Sequence, residues 1–354
     1  MLVGVRERRH PAGTGAKRRV MSRLEAGAPS GIGTGCMTAD DEQLRVRVAW
    51  LYFMEGLTQA DIAERLGITR LRANRLLGEA RASGLVSIQV NARLADCVAL
   101  ERHLVAETAL RDAVIVPTPA DADQVPVVLG RAAADYLARH LDEHRVRGLG
   151  IGWGTTLRET IRYLSAGKFP ELSVNSMMGG LTHGLELNTF EIASGLARRI
   201  GAQCNYLAAP IYAGSPKSRD TILAQDVFRD SLKRLATNDV ALLSVGDLSR
   251  RSLLIRYGLP RDVTVESLRG SGAVGDIMGT FLDARGVPVK HALNQRVIAP
   301  PVAMLRDITT VIVASGGLNK AAVIAAILRA RLCAILVSDE ATVRAAMGLL
   351  RGAG

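Results

Sequence analysis

The chain has 354 residues, which is enough for about two domains with a sizeable core. Its formal net charge of +11 favours an anionic partner such as nucleic acid or a phosphorylated ligand, and its 4% of aromatic residues predicts an aliphatic core. The four scattered cysteines argue against disulfides and zinc, and no apolar run approaches the roughly 18 residues of a membrane span. We therefore expect a cytoplasmic protein that contacts no membrane and needs no cofactor or metal.

The first 38 residues are rich in Gly, Ala, Arg and Ser and show no periodicity, which predicts a disordered tail. Its first 36 residues contain seven Lys or Arg and two Glu. Two interpretations stay open. The tail is either a basic arm that touches DNA or a start-site artefact, with translation beginning at Met21 or Met37.

The segment 56–77 has the pattern of two short helices joined by a tight turn. Thr58 and Asp61 have the spacing of a capping box at the start of the first helix. Gly67 supplies the left-handed residue that a sharp turn between helices needs. Thr69 is placed to cap the second helix. The segment is therefore predicted to be a helix-turn-helix.

The second helix of this pair has an apolar face and a polar, basic face. Small and aliphatic residues form the first face: Ala73, Leu76, Leu77 and Ala80. Arginine and asparagine make bidentate contacts to guanine and adenine, so the polar face is predicted to enter the major groove. The candidate DNA-binding residues are Thr69, Arg70, Leu71, Arg72, Asn74 and Arg75. The alternative is a structural helix pair with a solvated charged face.

The domain organisation follows from changes in this patterning. Residues 39–91 are predicted to form the DNA-binding domain, with a first helix from Asp40 and a short strand after Gly84 beside the helix pair. Residues 92–112 carry an apolar stripe typical of a helix, interpreted as a linker that either also serves dimerisation or is a plain connector. Residues 113–354 alternate apolar runs with amphipathic segments, which predicts an α/β domain with a mainly parallel sheet covered on both faces.

Within that larger domain, short apolar runs predict the strands and amphipathic segments predict the helices. Strands are predicted at 113–116, 148–152, 172–178, 240–245, 310–314 and 334–337, and helices at 126–141, 189–200, 219–235 and 318–331. Open α/β sheets bind ligands beyond the carboxyl ends of their strands. The turns that follow the predicted strands are therefore where a ligand site is expected.

The turn at 150–156 leads a strand through glycines into a helix that begins with two hydroxyl residues. Glycines allow the backbone to approach a ligand closely, and the amino end of a helix favours an anion. The candidates are Gly152, Gly154, Thr155 and Thr156. The spacing matches neither the dinucleotide fingerprint nor a P-loop, and a tight turn without a ligand is the alternative.

The turn at 314–320 also joins a strand to a helix. The hydroxyl of Ser315, the amides of Gly316 and Gly317 and the ammonium of Lys320 are predicted to converge on one anion. A cation in the first turn of a helix is unfavourable unless an anion joins it, but a solvated lysine is the alternative.

Asp276 is the remaining candidate, because its carboxylate can accept hydrogen bonds from sugar hydroxyls; a turn-forming aspartate is the alternative. The sequence shows no recognisable arrangement of nucleophile, base and orienting group. No catalytic residue is assigned.

Taken in order, these motifs resemble the SorC-type sugar-binding transcriptional regulators. The resemblance covers about residues 40–350 and rests on the helix-turn-helix, the 150–156 turn, Gly275-Asp276 with Phe281 and Asp283, and Ser315-Gly-Gly-x-x-Lys320. It implies a Rossmann-like large domain similar to sugar-phosphate isomerases, which binds a phosphorylated sugar or related effector without turning it over.

The resemblance also implies roles for individual residues. Thr155, Thr156 and Lys320 would contact a phosphate, and Asp276 would read hydroxyls. Some members of the family bind unphosphorylated polyols, so sugar, polyol and sugar phosphate all stay open as effectors. Family members are commonly tetramers on palindromic operators, so the expected partners are double-stranded operator DNA and further copies of the chain, as a dimer or tetramer.

The predicted function is therefore a DNA-binding transcriptional regulator, not an enzyme, whose operator affinity is controlled by an effector in the C-terminal domain. One alternative is a sugar-phosphate isomerase or deaminase with an accessory helical domain. The other is a nucleic-acid binder without sequence specificity that uses the basic tail.

Overall fold

The computed structural model describes residues 39–53, 55–83, 85, 92–181 and 188–352. The chain divides into two compact units, residues 1–89 and 90–354. The predicted disordered tail and the predicted strand after Gly84 lie outside the described residues.

The first unit contains three helices: α1 (Ala39–Phe53), α2 (Gln59–Leu66) and α3 (Arg70–Ala82). The predicted capping box is confirmed, since the Asp61 amide donates to Thr58 Oγ1 at 3.3 Å and the Thr58 amide donates to Asp61 Oδ2 at 3.1 Å. Gly67 ends α2 in the left-handed conformation, with φ 62° and ψ 34°. The hydroxyl of Thr69 accepts from the Arg72 amide at 3.2 Å and so caps α3.

A small core holds these three helices together. It is built from aliphatic residues of all three: Val48, Leu51, Ile62, Ala73, Leu76 and Leu77. The predicted apolar face of the second helix is confirmed, because Ala73 and Ala80 are also fully buried. Short side chains at these positions let neighbouring helices approach closely, and the remaining face of α3 is left to solvent.

The described residues of the second unit form ten strands. In chain order they are β1 (Asp112–Val116), β2 (Gly148–Ile151), β3 (Ser173–Ser176), β4 (Gln203–Asn205), β5 (Val240–Leu243), β6 (Val245–Gly246), β7 (Gly275–Ile277), β8 (Thr280–Leu282), β9 (Thr310–Ala314) and β10 (Ile335–Asp339). Seven of them make one sheet of order β1-β10-β9-β5-β2-β3-β4, in which every described pairing is parallel. The predicted parallel α/β sheet is confirmed.

The helices of this unit are α4 (Ala92–Glu107), α5 (Val125–Glu143), α6 (Thr155–Tyr163), α7 (Thr189–Ile200), α8 (Pro216–Leu223), α9 (Asp226–Ala236), α10 (Val265–Gly270), α11 (Ala321–Arg329) and α12 (Glu340–Arg351). Side chains alternate between two cores on opposite faces of the sheet. On β5, for example, Val240 and Leu242 join one core and Ala241 and Leu243 join the other. Burial on both faces is why the strands read as continuous apolar runs.

The predicted helix at 219–235 is wrong in one respect, because it is two helices. The chain is extended at Gln225, with ψ 143°, between α8 and α9. This break lets Ile222 from one helix and Phe228 from the other pack against the same small apolar cluster. Neither Gly nor Pro marks the break, so the sequence pattern predicted one continuous helix.

The sequence pattern also missed a small antiparallel sheet formed by β6, β7 and β8. Its strands are two or three residues long, too short for alternation to show. Met278 and Gly279 join β7 to β8 with positive φ values of 51° and 74°, as in the two-residue turn that suits a tight hairpin. In this sheet Gly246 pairs with Asp276.

The main sheet has a switch point between β2 and β5. From β2 the next strand of the sheet, β3, lies on one side, whereas from β5 the next strand, β9, lies on the other. Connections that diverge in this way leave a crevice at the carboxyl ends of the two central strands. Among the described residues, no helix is long and apolar enough to cross a membrane.

We predict opposite effects for two glycine substitutions in the first unit. Gly67 and Gly78 are both exposed and neither has an atom within 4 Å of an added Cβ, so only their backbone conformation differs. Gly67→Ala forces an L-residue into the left-handed region and should cost about 1–2 kcal/mol. Gly78→Ala, inside α3, should stabilise by about 0.5–1 kcal/mol. Amide hydrogen exchange of α2 and α3 in the full chain measures both, and equal protection in the two variants would contradict the turn assignment.

Candidate functional site

A cavity of about 720 Å³ opens at the carboxyl ends of β2 and β5. Its volume is typical of small-ligand sites, which span about 300–1,000 Å³. Seven of the nine predicted effector-binding residues line it: Gly154, Thr155, Thr156, Asp276, Gly316, Gly317 and Lys320. Segments far apart in the sequence therefore meet at one cavity.

The other two predicted residues lie behind the cavity wall. A Cβ at Gly152 would lie 3.2 Å from Leu243 Cδ2, so this glycine packs against the next strand. Ser315 is fully buried, and its Oγ accepts a hydrogen bond from Lys320 Nζ at 3.2 Å. Ser244, which follows β5, donates to the same oxygen at 3.2 Å. Both predicted residues support neighbours that face the cavity.

The amino end of α6 forms one side of the cavity. Gly154 is its N-cap residue, and no side chain of the described residues caps the first turn. The amides at this end are therefore available to an acceptor on a ligand, which is the property that makes helix amino ends bind anions. Thr155 is partly exposed, and Thr156 is buried beneath it.

Lys320 lies among carboxyl groups. Burial lowers the pKa of its ammonium, and the nearby Asp247 and Asp276 act in the opposite direction. The Gly317 amide, predicted to bind an anion from the ligand, already donates to Asp339 Oδ1 at 2.8 Å. The surroundings of Lys320 are thus more acidic than the sequence pattern suggested.

Asp276 occupies a tightly built position on β7. Its Oδ2 accepts from the Gly279 amide at 3.1 Å, and its Oδ1 has no hydrogen-bond partner among the described residues. Burial is the main reason that the pKa of this carboxyl rises to about 7. A Cβ on the paired Gly246 would lie 2.1 Å from Oδ1, so only glycine leaves room for the carboxyl group there.

Sequence reasoning missed two further aspartates of the cavity wall. Asp247 follows β6 directly, and Asp339 ends β10. Asp339 is saturated by hydrogen bonds, since it accepts from Thr118 Oγ1 at 2.9 Å and Thr342 Oγ1 at 2.7 Å as well as from Gly317. Both residues lie where strands end, so applying the strand-end rule to 244–247 and 335–339 would have found them.

Exposed charges stand at the mouth of the cavity. Arg251 and Asp123 approach each other to 3.9 Å, and Arg256 lies over the ring of Tyr257. Exposed pairs of this kind are weak, so a ligand can displace them at little cost. Within the described ranges, no group of three or more His, Cys, Asp or Glu residues has the arrangement of a metal site.

The first unit carries the candidate DNA-binding residues on the exposed face of α3. Arg72 pairs with Asp41 at 2.9 Å, Arg75 pairs with Glu79 at 3.1 Å, and Asn74 Oδ1 accepts a hydrogen bond from Gln59. Leu71 is 81% exposed. These surface contacts are weak, so the arginines are available to exchange them for DNA.

The raised pKa of Asp276 predicts how stability changes with pH. The folded protein keeps a proton that the unfolded chain releases above its usual pKa of 3.8, so stability falls as pH rises toward and through about 7. We expect Asp276→Asn to remove this dependence. Melting temperatures measured from about pH 5 to pH 8 should fall in the wild type relative to the variant.

The matched control is Asp283→Asn. Its hydrogen bonds from the Val287 and Arg285 amides hold the pKa of Asp283 below its usual value against some desolvation, so it does not titrate between pH 5 and 8. The melting temperature of the control should therefore change with pH as it does in the wild type. If the melting temperatures of the wild type and Asp276→Asn change with pH in parallel, the raised pKa of the buried Asp276 carboxyl is refuted.

Comparison with known proteins places the chain among sugar-binding regulators. Residues 92–348 match the family model described as "Putative sugar-binding domain". The erythritol catabolism regulatory protein EryD of Brucella abortus is 28% identical over 316 residues, which cover 89% of this chain and 100% of that protein. The transcriptional regulator LsrR of Escherichia coli K12 is 30% identical over 312 residues, which cover 86% of this chain and 94% of that protein.

A solved structure agrees with this relationship across both units. The full-length sorbitol operon regulator SorC of Klebsiella pneumoniae has a TM-score of 0.65 and 25% identity, covering 88% of this chain and 100% of that one. The N-terminal helices and the mostly parallel sheet of this chain correspond to the predicted α/β architecture. The chain belongs to the SorC-type family of sugar-binding transcriptional regulators.

Proposed function

We propose that the chain regulates transcription by binding operator DNA through α3, and that a sugar, polyol or sugar phosphate in the cavity changes its operator affinity. The observation that carries the proposal is the cavity at the switch point, where three separated motif segments meet. The effector would bind two arrangements of the protein with different affinity and so shift the balance between them.

The DNA-binding part of the proposal is supported by the chemistry of α3. Its exposed face presents Arg70, Arg72, Asn74 and Arg75, and these side chains can read purines in the major groove. The exposed Leu71 would suit the methyl group of thymine. Thr69, at the amino end of α3, would contact a backbone phosphate.

A homo-oligomer, dimer or tetramer, would present two such helices to a palindromic operator. One helix-turn-helix reads few base pairs, and two half-sites about one turn of DNA apart, or a multiple of it, multiply the discrimination. We propose that this assembly acts in the cytoplasm, where bacterial operators lie. Light scattering gives the oligomeric state, and a monomer at micromolar concentration with nanomolar operator affinity would contradict it.

We propose that the effector is bound and not turned over. Support comes from the relatives, whose names describe regulators. A thermal-shift screen of sugars, polyols and their phosphates identifies the effector, because a ligand at 100 times its Kd stabilises the fold by about 2.7 kcal/mol. Product formation from any compound that binds would revive the isomerase or deaminase alternative.

We expect Arg72→Ala combined with Arg75→Ala to weaken operator binding while effector binding is unchanged. A residue that reads a base should cost about 1–3 kcal/mol on the cognate sequence, whereas a phosphate contact should weaken all sequences alike. Fluorescence anisotropy with operator and scrambled DNA separates the two cases. Arg65→Ala on α2, also an exposed arginine paired with a glutamate, is the control, and operator affinity equal to wild type in the double variant would remove α3 from the interface.

We expect Lys320→Met to abolish the effector response while operator binding persists. The substitution keeps the aliphatic stem and removes a half-buried charge in the cavity lining, so a charge-assisted contact worth about 1.5–3 kcal/mol is lost. Calorimetry with compounds that the screen selects measures the loss, and Lys290→Ala, an exposed lysine outside the cavity lining, is the control. Wild-type affinity in Lys320→Met would show that the effector binds elsewhere.

A further inference from the structure

Two buried carboxyl groups on the cavity wall each have a hydrogen-bond partner for only one of their two oxygens among the described residues. Asp247 and Asp276 are 3% and 4% exposed. In each, Oδ2 accepts a backbone amide, from Ser249 at 3.0 Å and from Gly279 at 3.1 Å. In each, Oδ1 is buried without a hydrogen-bond partner among the described residues. An unpaired buried oxygen of this kind is costly, which indicates that a partner is missing.

The two groups lie around a single glycine. Gly246 pairs with Asp276 across the small antiparallel sheet, and Asp247 is its neighbour in the chain. A Cβ at Gly246 would lie 2.1 Å from Asp276 Oδ1 and 3.4 Å from the hydroxyl of Ser252, which also lines the cavity. Glycine therefore allows two carboxyl groups and a hydroxyl to gather at one place.

The charges of this region disfavour a phosphate beside Lys320. The buried charged groups of the cavity lining are Asp247, Asp276 and Asp339, and the half-buried Lys320 sets one ammonium against these three carboxyl groups. The arginines of the lining, Arg251 and Arg256, are exposed at its mouth. A phosphate dianion brought to Lys320 would also meet Asp247 and Asp276, the two carboxyl groups that act on this ammonium, at low dielectric, where repulsion between like charges is strong.

A hydroxyl group of a ligand carries no charge, so the carboxyl groups do not repel it. It donates to a carboxylate or accepts from a carboxylic acid, so it satisfies Oδ1 in either protonation state. It also accepts from an ammonium, as Ser315 Oγ already does from Lys320. Neighbouring hydroxyls on adjacent carbons would reach two such groups together.

We propose that the effector is an uncharged polyol or sugar that places a vicinal diol, and not a phosphate, beside Lys320, and that Asp247 is a specificity residue that accepts one of its hydroxyls. The inference rests on the proposed function and narrows its effector class. Lys320 then balances the carboxyl groups and donates to the diol, in place of the phosphate contact that the family resemblance implies for it.

The decisive variant is Asp247→Asn. The Ser249 amide requires an acceptor at the position of Oδ2, so the asparagine oxygen must stay there. The amide NH₂ then replaces Oδ1, so the ligand hydroxyl has to turn and accept from a neutral donor, and its charge-assisted hydrogen bond to a carboxylate is lost. The matched control is Asp230→Asn, which makes the same substitution at an exposed carboxylate of α9 that lies outside the cavity lining.

The experiment compares erythritol, ribitol and sorbitol with their terminal phosphate esters on the full chain, by thermal shift and calorimetry. We expect at least one free polyol to bind the wild type more tightly than its ester. Asp247→Asn should weaken binding of that polyol about tenfold to a hundredfold, the loss expected for a hydrogen bond to a charged group, and Asp230→Asn should leave it within about twofold. Operator affinity and melting temperature without ligand show that each variant is folded.

The other outcomes overturn the inference in distinguishable ways. If only the esters bind and they change operator affinity, the diol assignment fails and the proposed function stands. The assignment also fails if a free polyol binds Asp247→Asn as tightly as the wild type. If neither the free polyols nor their esters bind, the inference fails, whereas the proposed function fails if the wild type does not bind operator DNA.

Discussion

Burial of a parallel sheet on both faces is the constraint on which the rest of the larger unit depends. Parallel neighbours need crossover connections, and here those connections cover both sides of a seven-stranded sheet. Both faces are thereby closed to a ligand. The carboxyl edge is open between β2 and β5, where the connections diverge. The cavity lies at this point, and the turns after β2 and β9 reach it because parallel strands end at the same edge.

The same constraint concentrates charge where water is scarce. Strand ends deliver Asp339 and Asp247 to the cavity, and the small antiparallel sheet adds Asp276 opposite Gly246. Lys320, in the turn after β9, is the half-buried ammonium of the described lining. Desolvation raises the pKa of the Asp276 carboxyl and lowers that of the Lys320 ammonium, so both neutral forms gain ground. A ligand that hydrogen-bonds to these groups would reduce the cost of burying them. The electrostatics of the fold is related in this way to the proposed effector.

The helices of the first unit are defined by contacts between residues close together in the chain. Thr58 and Asp61 start α2, Gly67 ends it, and Thr69 starts α3, all through contacts within a few residues. Such short-range capping contacts can be predicted from a sequence because each residue's partner lies three or four positions away. Its surface pairs contribute little stability, which leaves the polar face of α3 free to be selected for recognition of DNA.

The helix pair with its caps, the parallel α/β class, and seven residues of the cavity lining could be predicted from the amino-acid sequence. Each depends on local chemistry or on the rule that ligands bind at strand ends. The packed fold was needed to show that Gly152 and Ser315 support the wall, that Asp339 occupies the Gly317 amide, and that Asp247 and Asp276 meet around Gly246. These facts depend on the register of very short strands and on contacts between segments far apart in the chain. Spacing along a sequence carries no information about which distant carboxyl group will face a half-buried lysine, because that depends on how the strands are ordered and packed.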